Sequence, residues 1–157
     1  MLTLDSVDRR ILAVLQQEGR VQNNELARKV GLSPSPCLRR TRLLEEAGVI
    51  QRYVAVLDAT KIGFGLSLFP RIWLTAQDAD TIDHFIEEVQ LLPQVVECYI
   101  MLGDCDAMLR VVAPDLDGYR RFQAQFLSRI KGVQNIKTEV PSQTVKQSYA
   151  LPLTPPA

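Results

Sequence analysis

Apolar residues in the first part of the chain recur with the spacing of helices. Residues 5–17 and 23–30 each place their apolar side chains on one face, and Gly31 follows the second segment. A third helix is predicted to begin at Ser35-Pro36, because serine caps helices and proline suits the first helical position. Two short helices joined through a glycine are the layout of a helix-turn-helix.

The pattern then changes to short extended segments. Residues 49–57 are rich in β-branched side chains and predict a strand or wing, with 60–65 as a hinge. Beyond the hinge, the predicted order is strand, helix, strand, strand, helix, strand. The predicted bounds are 66–76, 78–91, 95–102, 107–113, 115–131 and 133–140. This order predicts an α+β protein in which a winged helix-turn-helix precedes a ferredoxin-like βαββαβ domain.

The first strand of the predicted sheet is apolar on both faces. Phe69 and Trp73 alternate with the residues that would face the helices, so the opposite face of the sheet needs a cover. A second copy of the chain is an economical cover and predicts an isologous dimer by sheet-to-sheet packing. Pro70 in the same strand indicates an edge position or a bulge.

The first 52 residues and the remainder of the chain differ in net charge, although the formal net charge of the whole chain is zero. Residues 1–52 carry nine basic and six acidic side chains, whereas the remainder carries nine basic and twelve acidic. A basic N-terminal segment followed by an acidic remainder is typical of a phosphate-binding module joined to an assembly or sensor domain. The sequence has no apolar stretch long enough for a membrane helix and no signal-peptide pattern, so we expect a cytoplasmic protein.

Three arginines near the start of the third predicted helix are the strongest candidates for DNA contact. Arg39, Arg40 and Arg42 turn mostly away from the apolar face of that helix, where a recognition helix meets base edges in the major groove. Free backbone N–H groups near Ser33 and Ser35 would face a phosphate. The alternative is a three-helix bundle whose basic face is only solvated.

The residues give little support for an enzyme. The lone His84, the Asp104/Asp106 pair and three unpaired cysteines do not form a convergent reactive set. The cysteines contain no CxxC pair, so neither a zinc site nor a disulfide framework is predicted. Gly63-Phe64-Gly65 lacks the third glycine of a nucleotide-binding loop. We therefore expect a protein that is not an enzyme and holds no cofactor or metal.

Four segments of the sequence resemble the Lrp/AsnC, or feast/famine, family of transcription regulators. They are LDSVDRRIL at 4–12, GLSPSPCLRR at 31–40, GDCD at 103–106 and VKQS at 145–148. The second segment, at the recognition helix, is the specific one. The resemblance implies a winged helix-turn-helix, a hinge strand and an effector-binding βαββαβ domain that forms dimers and larger rings, commonly octamers.

The resemblance also implies roles for particular residues. The positions at which the family contacts DNA are Ser33, Ser35, Arg39, Arg40 and Arg42. The positions at which it binds a small amino acid between dimers are Leu102, Gly103, Asp104, Asp106, Thr138, Glu139 and Val140. Cys105 stands where leucine-responsive members generally carry an aromatic residue, and Glu139 adds a negative charge. We therefore expect a polar or basic amino acid as the effector, in preference to leucine.

These inferences combine into one domain plan. Residues 1–52 form the DNA-binding domain, 53–64 the hinge strand and linker, 65–151 the effector-binding and oligomerisation domain, and 152–157 a flexible tail. The predicted function is sequence-specific regulation of transcription by an amino-acid-responsive homo-oligomer, an octamer, that binds double-stranded promoter DNA in the nucleoid. The alternative is an effector-binding assembly module without operator recognition.

Overall fold

The computed structural model describes residues 3–154, which divide into two compact units. One unit takes in the described residues up to Val56 together with those from Lys146 onward, and the other spans Leu57–Val145. This division differs from the predicted plan, which joined 146–151 to the second domain and left 152–157 as a flexible tail. Leu153 packs against the apolar core of the first unit, which accounts for the difference. Residues 155–157 lie outside the described part of the chain.

The first unit is built from three helices. They are α1 (Ser6–Gln17), α2 (Asn23–Val30) and α3 (Pro34–Glu46). The carboxylate of Asp5 caps α1 by accepting from the backbone N–H groups of Val7 and Asp8, both at 2.8 Å. The carboxylate of Asp8 accepts in return from the N–H of Asp5 at 3.2 Å, which completes a capping box. The buried core joins all three helices through Ile11, Leu12, Leu26, Ala27, Val30, Cys37 and Leu44.

The turn between α2 and α3 depends on a glycine. Gly31 adopts φ 74°, a left-handed conformation that other residues enter at a cost. The third helix then begins two residues earlier than predicted, with Ser33 as the N-cap and Pro34 in the first turn. Pro36 is accommodated in the same turn, because the first N–H groups of a helix have no intrahelical acceptor for a proline to lose.

The prediction of a strand at 49–57 is wrong for the single chain. Residues 51–58 have no regular secondary structure, and every side chain from Gln51 to Asp58 is exposed. A β-branched composition favours extended backbone, but a strand also needs a neighbouring strand to bond with. No strand of the described residues 3–154 pairs with this segment.

The second unit contains a four-stranded antiparallel sheet and two helices. Its elements are β1 (Leu66–Leu74), α4 (Ala79–Gln90), β2 (Val95–Ile100), β3 (Ala107–Ala113), α5 (Leu116–Gln125) and β4 (Val133–Glu139), with short 3₁₀ turns at Thr60–Ile62 and Leu127–Arg129. The strand order is β2-β3-β1-β4. This is the βαββαβ arrangement, so the predicted α+β, ferredoxin-like fold is confirmed.

Two local predictions for this unit need correction. Pro70 lies in β1, which is a central strand and not an edge. Because proline has no N–H, the pairing of β1 with β3 is interrupted at 69–70, while pairing with β4 continues through Pro70 and Thr138. The last helix ends at Gln125, short of the predicted 131, because the backbone of Phe126 leaves helical geometry.

The two faces of the sheet have different characters. Buried Leu68, Ile72 and Leu74 of β1 pack with Phe85 of α4 and Phe122 of α5, which forms the core of the unit. The other face carries Phe69 and Trp73, but these alternate with charged side chains of β1, β3 and β4. The open face is therefore mixed in polarity and less apolar than the sequence predicted.

Candidate DNA-reading face and effector loop

One side of α3 forms a continuous exposed surface, which we call the DNA-reading face. Its residues recur every three or four positions, as one side of a helix requires. They are Ser35, Leu38, Arg39, Arg42, Leu43 and Glu46, which line a shallow groove of about 270 Å³. Three of the five predicted DNA-binding residues thus share one surface.

The arginines of the DNA-reading face have no side-chain partner among residues 3–154. Arg39 and Arg42 are exposed, and within residues 3–154 neither forms an ion pair or a side-chain hydrogen bond. Ser33 is the N-cap residue of α3, yet its side chain makes no capping hydrogen bond. Pro34 and Pro36 have no N–H, so the groups available to a phosphate oxygen are the Ser33 hydroxyl and the backbone N–H of Ser35, which has no acceptor among residues 3–154.

The position of α3 is set by contacts on its opposite side. Asn23, the first residue of α2, donates from its side-chain amide to the carbonyl of Pro34 at 2.9 Å. Cys37 and Leu44 are buried in the core, and burial raises the pKa of the Cys37 thiol. The start of α3 is thus held to α2, while the side that carries Arg39 and Arg42 remains open.

Arg40 does not belong to the DNA-reading face, contrary to the prediction that it points outward. Its guanidinium donates to the carboxylates of Asp5 at 2.8 Å and Asp8 at 2.7 Å, which joins α3 to the start of α1. A backbone hydrogen bond from Asp8, together with Arg40, lowers the pKa of Asp5. Arg39, which has no partner in the described part of the chain, is thus adjacent to Arg40, which two carboxylates bind.

The second candidate site is the turn between β2 and β3, residues 101–106, which we call the effector loop. Leu102 is fully exposed, and a side chain at Gly103 would meet no atom within 4 Å. Within residues 3–154, the backbone N–H groups of 102–105 donate to no protein acceptor. Such a run of free N–H groups can receive a carboxylate.

Asp106 anchors the effector loop to the end of β1. Its carboxylate accepts from the backbone N–H of Leu74 and from the side-chain amide of Gln77, both at 2.7 Å. Its own N–H donates to the carbonyl of Ile72 at 2.9 Å. Both carboxylate oxygens are engaged with the protein, so Asp106 holds the loop in place.

Arg71 joins the effector loop to β4. Its guanidinium lies 2.6 Å from the carboxylate of Asp104 and 3.6 Å from that of Glu139. The guanidinium of Arg71 also lies over the ring of Trp73, 5.3 Å from its centre, and the ammonium of Lys137 lies over the same ring at 5.2 Å. The Trp73 indole N–H donates to the carbonyl of Asp104 at 2.6 Å. Asp104 and Glu139 are thus brought together through one arginine.

The predicted effector residues of β4 do not all converge. Thr138 lies on the helix side of the sheet, where its hydroxyl bonds that of Tyr119, and burial raises the pKa of this tyrosine. Glu139 follows it and therefore points to the opposite face, toward Arg71. Val140 is exposed just beyond the strand. Only Glu139 of these three therefore reaches the cluster around Asp104.

Sequence reasoning missed the residues that organise this cluster. Arg71 and Trp73 of β1, Gln77 beyond it and Lys137 of β4 were not among the predicted site residues. One signal was present in the sequence. Arg71 is the only charged residue in the mostly apolar strand LSLFPRIWL, and a charge in a central strand indicates a specific partner.

The described residues, 3–154, contain neither a membrane-spanning helix nor a cluster of metal ligands. No helix there is long and apolar enough to cross a membrane. No group of three or more His, Cys, Asp or Glu side chains in the same residues is placed to hold a metal ion.

Both units match known protein families. Residues 67–151 match the family described as the Lrp/AsnC ligand binding domain, and residues 4–51 match the family described as winged helix-turn-helix DNA-binding. The leucine-responsive regulatory protein of Escherichia coli strain K12 is 41% identical over 148 residues, which cover 94% of this chain and 90% of that protein. The leucine-responsive regulatory protein of Klebsiella pneumoniae is equally similar.

Solved structures agree with these sequence matches. A transcriptional regulator from Neisseria meningitidis, in complex with L-Met, has a TM-score of 0.92 at 36% identity and covers 96% of this chain and 97% of its own. A regulator described as AsnC family from Agrobacterium tumefaciens has a TM-score of 0.91 at 37% identity, with the same coverage. These relatives are regulators of transcription and not enzymes.

Proposed function

The chain belongs to the Lrp/AsnC family of DNA-binding transcription regulators, and from its geometry we propose that the DNA-reading face of α3 binds operator DNA while the effector loop binds a free amino acid. The observation that carries the DNA assignment is a pair of arginines on one exposed side of α3, Arg39 and Arg42, for which residues 3–154 supply no partner. Ser33 and Ser35 at the start of the helix would contact phosphate, and the two arginines would reach base edges or phosphates.

Binding to the mapped promoter region of the protein's own gene tests this assignment. We expect Arg39→Ala to weaken specific binding about 5- to 150-fold, the range for loss of one good base contact. Arg10→Ala is the matched control, because Arg10 is also exposed in the same unit but lies on α1. Equal affinity of wild type and Arg39→Ala at several salt concentrations would contradict the assignment.

The effector assignment is supported by the charges around the loop. Arg71 and Lys137 supply two positive charges, and Asp104 and Glu139 supply two negative charges. A free amino acid is itself a neutral pair of opposite charges. Its ammonium would bind Asp104 and Glu139, and its carboxylate would bind the free N–H groups of the effector loop.

This balance of charge changes the expected class of amino acid. The sequence favoured a polar or basic effector because of Cys105 and Glu139, but Arg71 lies 3.6 Å from the Glu139 carboxylate and compensates its charge. We therefore propose an amino acid with an uncharged, apolar side chain. Relatives that are named for their response to leucine, or solved with L-Met, agree with this class.

Calorimetry against the twenty amino acids tests the effector proposal. We expect one of the apolar amino acids to bind tightest. Asp104→Asn should weaken its binding about 10- to 150-fold, since a charge-assisted hydrogen bond contributes about 1.5–3 kcal/mol. Asp83→Asn, an exposed site on α4, should leave binding unchanged. Arginine or lysine as the tightest ligand would restore the earlier preference and contradict this one.

We further propose that the chain assembles into an octamer. Phe69, Trp73 and Tyr99 expose apolar surface on the open face of the sheet, and Val54 and Val56 are about two-thirds exposed in a segment without a pairing strand. A second copy can cover both surfaces. Light scattering should give an eight-chain mass, and Phe69→Glu should lower it. A folded wild-type monomer at micromolar concentration would contradict the proposal.

The place of action follows from the DNA assignment. We propose that the protein works in the cytoplasm in association with the nucleoid. A fluorescent fusion should coincide with stained chromosomal DNA, and the Arg39→Ala, Arg42→Ala double variant should spread more evenly through the cell.

A further inference from the structure

The C-terminal segment of the chain returns to the DNA-binding unit. Residues 146–154 have no regular secondary structure, yet their contacts group them with the helices of the first unit. Leu153 is half-buried against the apolar core of that unit, while the described residues on either side of it are exposed. An extended segment that buries one apolar side chain is typical of a bound peptide.

Two polar side chains of α1 bind the backbone of this segment. The side-chain amide of Gln16 accepts from the N–H of Leu151 at 2.6 Å and donates to its carbonyl at 3.1 Å. The guanidinium of Arg9 donates to the carbonyl of Leu153. Arg9 and Gln16 are seven positions apart, so they lie two turns apart on the same side of α1. Together they bind Leu151 and Leu153, which are alternate residues of an extended segment. Pro152 lies between these two leucines and favours extended backbone at Leu151.

The same segment follows the strand that bears Glu139 after residues 140–145, which are exposed and have no regular secondary structure. The chain passes between the two units twice, once after Val56 and once after Val145. The first passage is a segment without regular structure, whose side chains are all exposed. The second passage ends in the specific contacts at Leu151 and Leu153.

We propose that the side of α1 that carries Arg9 and Gln16 is a peptide-binding site for the chain's own C-terminal segment, and that this attachment transmits effector binding at Glu139 to the DNA-binding unit. The second part rests on the proposed effector site, whereas the first part does not. A shift of β4 on effector binding would reach α1 through the attached segment, so releasing the segment would remove the response without touching either binding surface.

Hydrogen exchange of the full-length protein tests the attachment by itself. In the wild type, we expect the amide of Leu151 to exchange about tenfold more slowly than in a free peptide of residues 146–157. Gln16→Ala should bring the rate close to that of the peptide. Gln17→Ala is the matched control, because Gln17 is exposed on the same helix and makes no side-chain hydrogen bond to residues 146–154. Free-peptide exchange in the wild type would overturn the proposal.

Operator binding with and without the effector tests the transmission. We expect the ratio of the two affinities to fall to near one in Gln16→Ala and to keep its wild-type value in Gln17→Ala. Effector affinity, measured by calorimetry, should be the same in all three proteins. A wild-type ratio in Gln16→Ala, with Leu151 exchanging rapidly, would overturn the transmission. If no amino acid binds the wild type, the effector assignment and the transmission both fail, while the exchange experiment still decides the attachment.

Discussion

The DNA-reading face and the effector loop are organised in opposite ways. The DNA-reading face lies on one helix, and its side chains are exposed and unpaired within residues 3–154. The second site combines the effector loop with β1 and β4, which are separate parts of the chain. Within it, Asp104, Asp106 and Glu139 each bind a protein partner. A site on a single helix can be found from spacing, whereas a site assembled from several strands needs the sheet register.

Arg40 shows where this contrast breaks down. It belongs to α3, like Arg39 and Arg42, but a tertiary ion pair to Asp5 and Asp8 removes it from the exposed surface. Helical spacing tells which side chains share a face, but it does not tell which neighbouring element lies beside that face. Most of α3 therefore presents exposed side chains, whereas Arg40 binds α1 and the residue that caps it.

The largest effect is expected from removing both arginines of the DNA-reading face. Arg39→Ala with Arg42→Ala should weaken operator binding about 30-fold or more, because each contact contributes about 1–3 kcal/mol. The melting temperature should stay unchanged, since neither side chain has a partner in the described chain. Fluorescence anisotropy across a salt series measures the loss, and the salt slope of each single variant separates base contacts from phosphate contacts. Equal melting and equal affinity would remove the contrast between the two sites.

A stability effect is expected from the effector loop. Asp106→Ala should lower the free energy of unfolding of the second unit by about 1–3 kcal/mol, because the part-buried N–H of Leu74 loses its acceptor. Asp104→Ala is the comparison, since that side chain is 77% exposed and should change stability little. Urea unfolding measures both variants. Two equally stable variants would mean that Asp106 does not anchor the loop.

Arg40→Ala should separate the two kinds of arginine on α3. We expect a melting temperature a few degrees lower for the DNA-binding unit, because α3 loses its link to Asp5 and Asp8. Operator affinity of the folded protein should change much less than in Arg39→Ala. The result that speaks against this interpretation is a large loss of affinity in Arg40→Ala at unchanged melting temperature.

The smallest effect concerns pH. The backbone N–H of Asp8 and the guanidinium of Arg40 lower the pKa of Asp5 below its ordinary value of 3.8. The contribution of Asp5 to stability is therefore complete above pH 3.8 and is lost as the pH falls through the lower folded pKa. Asp5→Asn should flatten the acid side of the stability curve of the DNA-binding unit. Equal curves for the two proteins, measured by thermal unfolding from pH 6 to 2.5, would contradict the pairing.

Sequence alone determined the fold class and most of the helices. Apolar spacing located α1 and α2 to within a residue, and alternation located β3 at its observed bounds. A helix or strand repeats one short-range pattern of apolar and polar residues, so a short segment of sequence is enough to predict it. The exposed members of the DNA-reading face, Arg39 and Arg42, followed from the same rule.

Tertiary structure alone decided the rest. The run at 49–57 has the composition of a strand but finds no partner strand in the described chain, and Pro70 sits in a central strand because β3 and β4 both pair with β1. Arg71 contacts both Asp104 and Glu139 because the fold places the effector loop and β4 beside β1. These outcomes depend on which distant segments become neighbours, and the local spacing of apolar residues does not specify those neighbours.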